Sequence, residues 1–254
     1  VKMRKNTKRE KRTRKLLASL GIFVVIGVLL LAYLWYQGII VPNEAKAKQY
    51  SVMGVDVASY QGAIDWPALE QQGIQFAFIK ATEGSSFVDQ YFADNWGNAE
   101  MTRIRKGAYH FFSYDSEGKT QAQHFINTVP VDGQALPPVI DVEFYGDKEK
   151  NPPLREEVEK ELTAMVMMLE EHYGKQVIIY ATKKAYDLYI KGGYENCDIW
   201  IRDVYSKPSI PDNREWTFWQ YSDRGRLDGY DGKEKFIDLN VFYGSQHEFE
   251  NYGN

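Results

Sequence analysis

The sequence predicts an irregular α/β barrel preceded by a single membrane-spanning helix. Three observations point there. An uncharged apolar block lies near the N-terminus, eight β-rich runs are spread over the rest of the chain, and long helix-like insertions separate the first five. The 254 residues are 44% hydrophobic and 26% charged with a net charge of −4, a composition that excludes a disordered chain. Cys197 is the single cysteine, which excludes an intrachain disulfide framework. The modest net charge hides two unlike parts: residues 1–15 carry +8 and residues 16–254 carry −12.

The basic stub, residues 1–15, runs into LLASLGIFVVIGVLLLAYLWY, Leu16 to Tyr36, and the next charged side chain is Glu44. A helix of that length spans roughly 30 Å, the thickness of a bilayer's hydrocarbon core. Tyr33, Trp35 and Tyr36 gather at its far end, where amphipathic rings suit a membrane–water interface. Lysines and arginines before the block predict a cytoplasmic N-terminus and an extracellular body in a single-pass arrangement. Their position makes them a topology signal rather than a nucleic-acid arm. A cleaved signal peptide is the alternative, with Ala45-Lys46-Ala47 as a small-x-small site, although it lies about ten residues past an unusually long apolar block. Residues 37–49 read as a linker and 50–254 as the barrel.

The eight runs are 51–59, 75–84, 106–113, 137–144, 175–182, 198–204, 217–223 and 236–244. Between the first five the insertions read as helices. The clearest is 153–173, where Leu154, Val158, Leu162, Met165, Leu169 and Tyr173 recur at spacings of three and four before Gly174. Links between the last three runs are short or rich in Gly, Pro and Asp, which predicts hairpin-like connections. The expectation is therefore five βα units followed by three strands.

Several runs begin apolar and end polar: Asp56 and Ser59, Lys80 and Glu83, His110, Asp141 and Glu143, Arg202 and Asp203, Asp238 and Asn240. In a parallel barrel the C-terminal strand ends converge on the rim where active sites are built. Asp141 and Glu143 stand two apart in VIDVEF, so strand alternation puts both on one face, with Cα atoms roughly 6.5–7 Å apart. Like charges that close drive their pKa values apart, as a glycoside hydrolase requires of its acid and its anion. Two acids binding Lys, Arg or a metal would produce the same pattern. Residues 50–254 also hold 33 of the chain's 37 aromatic residues, and sugar rings stack on such side chains. The four histidines show no zinc-site spacing, and the GxSxG, GxGxxG and P-loop patterns are absent, so neither a metal nor another cofactor is expected.

The segments GVDVASYQGAIDW (54–66), FIKATEG (78–84), GAYHFF (107–112), PPVIDVE (137–143), VIIYAT (177–182), IWI (199–201), WQYS (219–222) and IDLN (237–240) occur in one order across nearly all of 52–244. In them the chain resembles the family 25 glycoside hydrolases, the Chalaropsis-type N-acetylmuramidases (lysozymes). The resemblance implies a TIM-like (β/α)5β3 barrel that cleaves the β-1,4 bond between N-acetylmuramic acid and N-acetylglucosamine in peptidoglycan. It makes Glu143 the general acid and Asp141 its partner at the substrate's 2-acetamido group, with Asp56 and Asp238 as further active-site carboxylates. It places Tyr109, His110, Tyr180, Trp200, Trp219 and Gln220 along the groove, with Glu83 as a further candidate. Arg202 is a departure, standing where relatives usually carry a small residue. The anchor is expected to replace a wall-binding module by tethering the enzyme near its polymer. A non-catalytic, membrane-tethered glycan-binding or scaffold protein is the competing reading, whereas an amidase or peptidase would lack its metal or nucleophile.

Overall fold

The computed structural model describes residues 2–212 and 214–253, with side chains from residue 10 onward. It divides into two units, residues 1–41 and 42–254. Helix α1 (Lys2–Tyr36) forms the first. Its segment Glu10–Tyr36 is long and apolar enough to cross a membrane, and leucines, valines and isoleucines along it are uncovered by protein.

In the second unit, α2 (Glu44–Ala47) precedes β1 (Met53–Val57), α3 (Trp66–Gln71), β2 (Ile74–Glu83), β3 (Phe87–Val88), α4 (Phe92–Ala99) and β4 (Arg105–Phe111). There follow α5 (Gly118–Thr128), β5 (Val139–Val142), α6 (Arg155–Tyr173), β6 (Ile178–Thr182) and α7 (Lys183–Ala185), which continues as a π-helical turn over Tyr186–Ile190. The chain closes with β7 (Asp198–Arg202), β8 (Phe218–Gly225), β9 (Ile237–Phe242) and α8 (Gln246–Asn251). Strands lie in the order β1-β9-β8-β7-β6-β5-β4-β2, and pairing of β1 with β2 closes an eight-stranded barrel. The two-residue β3, too short to be seen in the sequence, pairs only with the end of β2.

Every expected run is a strand, but one connection differs from expectation. β8 and β9 are antiparallel neighbours, as a hairpin requires, whereas β7 and β8 run parallel. Residues 203–217 are long enough to cross back without a helix, and Val204, Ile210 and Trp216 bury part of that crossing. The expected periodicity holds in α6, where Val158, Leu162, Met165 and Leu169 are buried and Gly174 ends the helix at φ 65°. Leu154 departs from it: as the residue before the first turn it is 69% exposed, off the helix face that packs.

Large rings facing small residues fill the barrel interior. Phe76 and Phe78 on β2 pair in register with Gly54 on β1 and Gly107 on β4. A Cβ at Gly54 would come within 2.5 Å of the Phe76 ring, and one at Gly107 within 2.7 Å of Phe78. Glycine is thus what lets these phenylalanines occupy the axis. Phe78 stacks on Trp200 at 4.6 Å, and Phe76 and Phe218 meet edge-on at 5.2 Å. Phe249 of α8 joins this cluster, and α8 is fixed by a capping box between Ser245 and Glu248.

Residues 42–49 belong to the barrel unit, although the sequence reads them as linker. Asn43 is fully buried and its Nδ2 donates to the carbonyls of Asp203 (3.0 Å) and Tyr221 (3.4 Å). Ala47 is also fully buried, within α2. Asn43→Ala should lower the Tm of the detergent-solubilised chain by roughly 3–6 °C, corresponding to about 1–2 kcal/mol of lost buried hydrogen bonding. An unchanged melting curve would show that this segment contributes nothing to barrel stability.

Candidate active site

Strand β5 pairs parallel with β4 and β6, setting Asp141 level with Phe111 on one side and Tyr180 on the other. Side chains alternate along this stretch. Ile140 and Val142 face outward into the packed wall, while Asp141 and Glu143 reach a cavity of about 550 Å³ at the C-terminal strand ends.

Nine of the eleven residues expected at the site line this cavity: Asp56, Glu83, Tyr109, Asp141, Glu143, Tyr180, Trp200, Gln220 and Asp238. His110 and Trp219 do not, and the reason is the same alternation. Their neighbours Tyr109 and Gln220 face inward, so these two face out. His110 is fully buried against α5, its Nδ1 2.7 Å from Thr82 Oγ1 and its Nε2 3.0 Å from Gln121 Oε1. Burial lowers its pKa to about 4. Trp219 is fully buried as well, donating from Nε1 to the Asp203 carbonyl at 2.8 Å and packing on Trp216 and Tyr221. Both are wall residues.

Asp56 is held by a relay that begins with two aromatic donors. Tyr180 donates its hydroxyl to Gln220 Oε1 at 2.9 Å, and Trp200 Nε1 donates to Asn240 Oδ1 at 2.8 Å. Each amide is thereby oriented with its NH2 toward Asp56 Oδ2, at 3.0 Å from Gln220 and 2.7 Å from Asn240. Burial raises the Asp56 pKa, and the two amide donors oppose that rise. Asp238 is its register partner across β1 and β9. Burial, and then the neighbouring Asp56 charge, hold Asp238 well above the usual carboxylate range.

The β5 pair is shifted in the same direction. Burial, followed by the Glu143 charge, pushes Asp141 well up. Burial also raises Glu143, with Arg202 opposing. The buried Oδ1 of Asp141 has no hydrogen-bond partner, and among the described residues none hydrogen-bonds the Glu143 carboxyl. Two ion pairs emerge only in three dimensions. Lys80, polar at its strand end in the sequence, pairs with Glu83 at 2.7 Å, and Arg202 pairs with Asp223 at 2.7 Å. Asp223 carries no signal of its own in the sequence, because its partner is twenty-one residues away on β7.

A site of this kind, with carboxyls of raised pKa among tyrosines and a tryptophan at the C-terminal rim of a barrel, has known counterparts. The family model for the family 25 glycosyl hydrolases matches residues 55–230. The chain belongs to glycosyl hydrolase family 25. Among solved members, a family 25 glycosyl hydrolase from Bacillus anthracis is 67% identical at a TM-score of 0.78, covering 81% of this chain and 95% of that one. The bacterial lysozyme from Streptomyces coelicolor is 29% identical at a TM-score of 0.72, over 80% and 97% of the two chains. Lysozyme M1 from Streptomyces globisporus is 32% identical over 76% of this chain and 68% of its own length. Asp238 and Asn240 lie beyond the residues matched by the family 25 model and reach the site through β9.

Proposed function

We propose that this chain is a peptidoglycan hydrolase, an N-acetylmuramidase that cleaves the β-1,4 bond between N-acetylmuramic acid and N-acetylglucosamine. The observation that carries the reading is the Asp141–Glu143 pair, two carboxyls of raised pKa side by side in the cavity of a family 25 member. Relatives named as lysozymes support the substrate class. Glu143 is the proton donor to the departing glycosidic oxygen: its place in PPVIDVE matches the family's acid, it is only half-buried where Asp141 is buried, and no described group hydrogen-bonds its carboxyl. Burial raises the pKa of both acids and so does not by itself separate their roles. Asp141, with an unpartnered oxygen, faces the substrate's 2-acetamido group and the charge developing at the anomeric carbon. Asp56, held by Gln220 and Asn240, supplies a fixed acceptor, and Asp238 is its partner. Tyr109, half-buried in the cavity wall, offers a ring to the sugars, whereas Tyr180 and Trp200 are buried and act by orienting Gln220 and Asn240; Glu83 lies at the rim.

The strand order supports a (β/α)5β3 description. The basic stub before the apolar block supports a cytoplasmic N-terminus, a membrane anchor at 16–36 and a barrel outside, where the polymer lies. The test is to incubate the detergent-solubilised full chain with peptidoglycan, reduce the products and identify them by mass spectrometry. Reduced N-acetylmuramic acid ends are expected. Products ending in reduced N-acetylglucosamine would assign the other glycosidic bond, and no new reducing ends would favour a glycan-binding protein.

A further inference from the structure

A second groove of about 500 Å³ continues from the catalytic cavity and shares Glu143 and Arg202 with it. The two differ in charge. The catalytic cavity gathers six carboxyls, at Asp56, Glu83, Asp141, Glu143, Asp223 and Asp238, against Lys80 and Arg202. The second groove adds Lys183 and Lys184, both exposed, where the chain leaves β6. Among the described residues no carboxylate pairs with Lys183. Lys184 Nζ is engaged by a carbonyl, that of Glu149 at 2.5 Å, and lies 5.3 Å from the centre of the Phe144 ring, so its charge is not neutralised.

The acids lining this groove offset those cations only in part, and among the described residues none forms an ion pair with either lysine. Asp203 turns its carboxylate onto its own loop, accepting from the backbone N–H of Tyr205 (3.1 Å) and Ser206 (2.8 Å) and from Ser206 Oγ (2.7 Å). Glu149 is exposed at the groove's edge, and Glu143 is the shared proton donor. An anionic branch on the substrate therefore meets six carboxyls against two cations in one cavity, and two lysine ammonium groups held by no carboxylate in the other.

Resting on the muramidase reading above, we infer that the Lys183–Lys184 groove binds the carboxylate-bearing branch of the glycan, the lactyl arm of muramic acid and the peptide stem it carries. The lysines would then determine preference for charged strands while leaving bond cleavage itself to the catalytic cavity.

The test compares the detergent-solubilised full chain with its Lys183→Gln/Lys184→Gln variant, and with Lys183→Gln alone, which leaves the Lys184 contacts in place. Three substrates are used: glycan strands with peptide stems, the same strands stripped to free lactyl carboxylates, and stripped strands converted to neutral methylamides. The double variant should raise KM about 3–10-fold on carboxylate-bearing strands, the size expected of two exposed charge pairs. It should leave KM on the methylamide strands and kcat on all three unchanged. Added salt should weaken binding by the unmodified chain more than by the variant. A rise confined to stem-bearing strands assigns the peptide carboxylates, and a rise on stripped strands assigns the lactyl carboxylate. Equal KM changes on all three substrates, or none, would overturn the inference. An unmodified chain inert on every substrate would instead remove the muramidase reading beneath it.

Discussion

Glu143→Gln is expected to lower kcat on peptidoglycan strands by about 10²–10⁴-fold, the usual contribution of a positioned general acid. The amide is close to the carboxyl in shape but has no proton to give to a leaving oxygen. Because no described residue hydrogen-bonds the Glu143 carboxyl, the exchange breaks no hydrogen bond, and Tm should stay within a few degrees of the parent. A substrate with a phenol leaving group of low pKa needs little protonation, so the variant should lose far less activity on it. The pH profile follows from the direction of the shift. Burial raises the Glu143 pKa, so activity should decline on the alkaline side as pH rises through that raised value and the proton is lost. Equal turnover by the variant and the parent on natural strands would remove Glu143 from this role.

The barrel was legible because strands, glycines and helix periodicity leave strong local patterns. VIDVEF shows an apolar run interrupted twice at a spacing of two, and both interruptions reach the cavity. The same rule of alternation explains the two misplaced residues. Tyr109 and His110 are adjacent on one strand, as are Trp219 and Gln220, and neighbours cannot both face inward. Aromatic or polar character at a strand end does not by itself say which face the side chain occupies. Other features depend on distant partners. Asn43 is buried only because Asp203 and Tyr221, far along the chain, present carbonyls to it. Lys183 and Lys184 look in the sequence like an ordinary solvated pair, and only the groove gives them a setting.

Asp141→Asn should abolish most activity while making the barrel more stable at neutral pH. Burial and the nearby Glu143 charge both oppose ionisation of Asp141, and Lys80 only partly compensates. Lys80 retains its 2.7 Å pair with Glu83 after the exchange. The sign of the pH dependence is fixed by the raised folded-state pKa. Folding favours the protonated acid, so its contribution is fully present below the unfolded value of about 3.8 and is lost as pH rises toward the folded value. The neutral amide has no such loss. The variant and parent should therefore melt close together near pH 4, whereas at pH 7 the variant should melt higher by roughly 2–6 °C, in line with about 1–2 kcal/mol for a domain of this size. Thermal melts of both proteins across that range decide the matter. A variant that melts lower than the parent at pH 7 would show that the ionised Asp141 carboxylate is stabilised by its surroundings, and that its place in the cavity carries no cost to the fold.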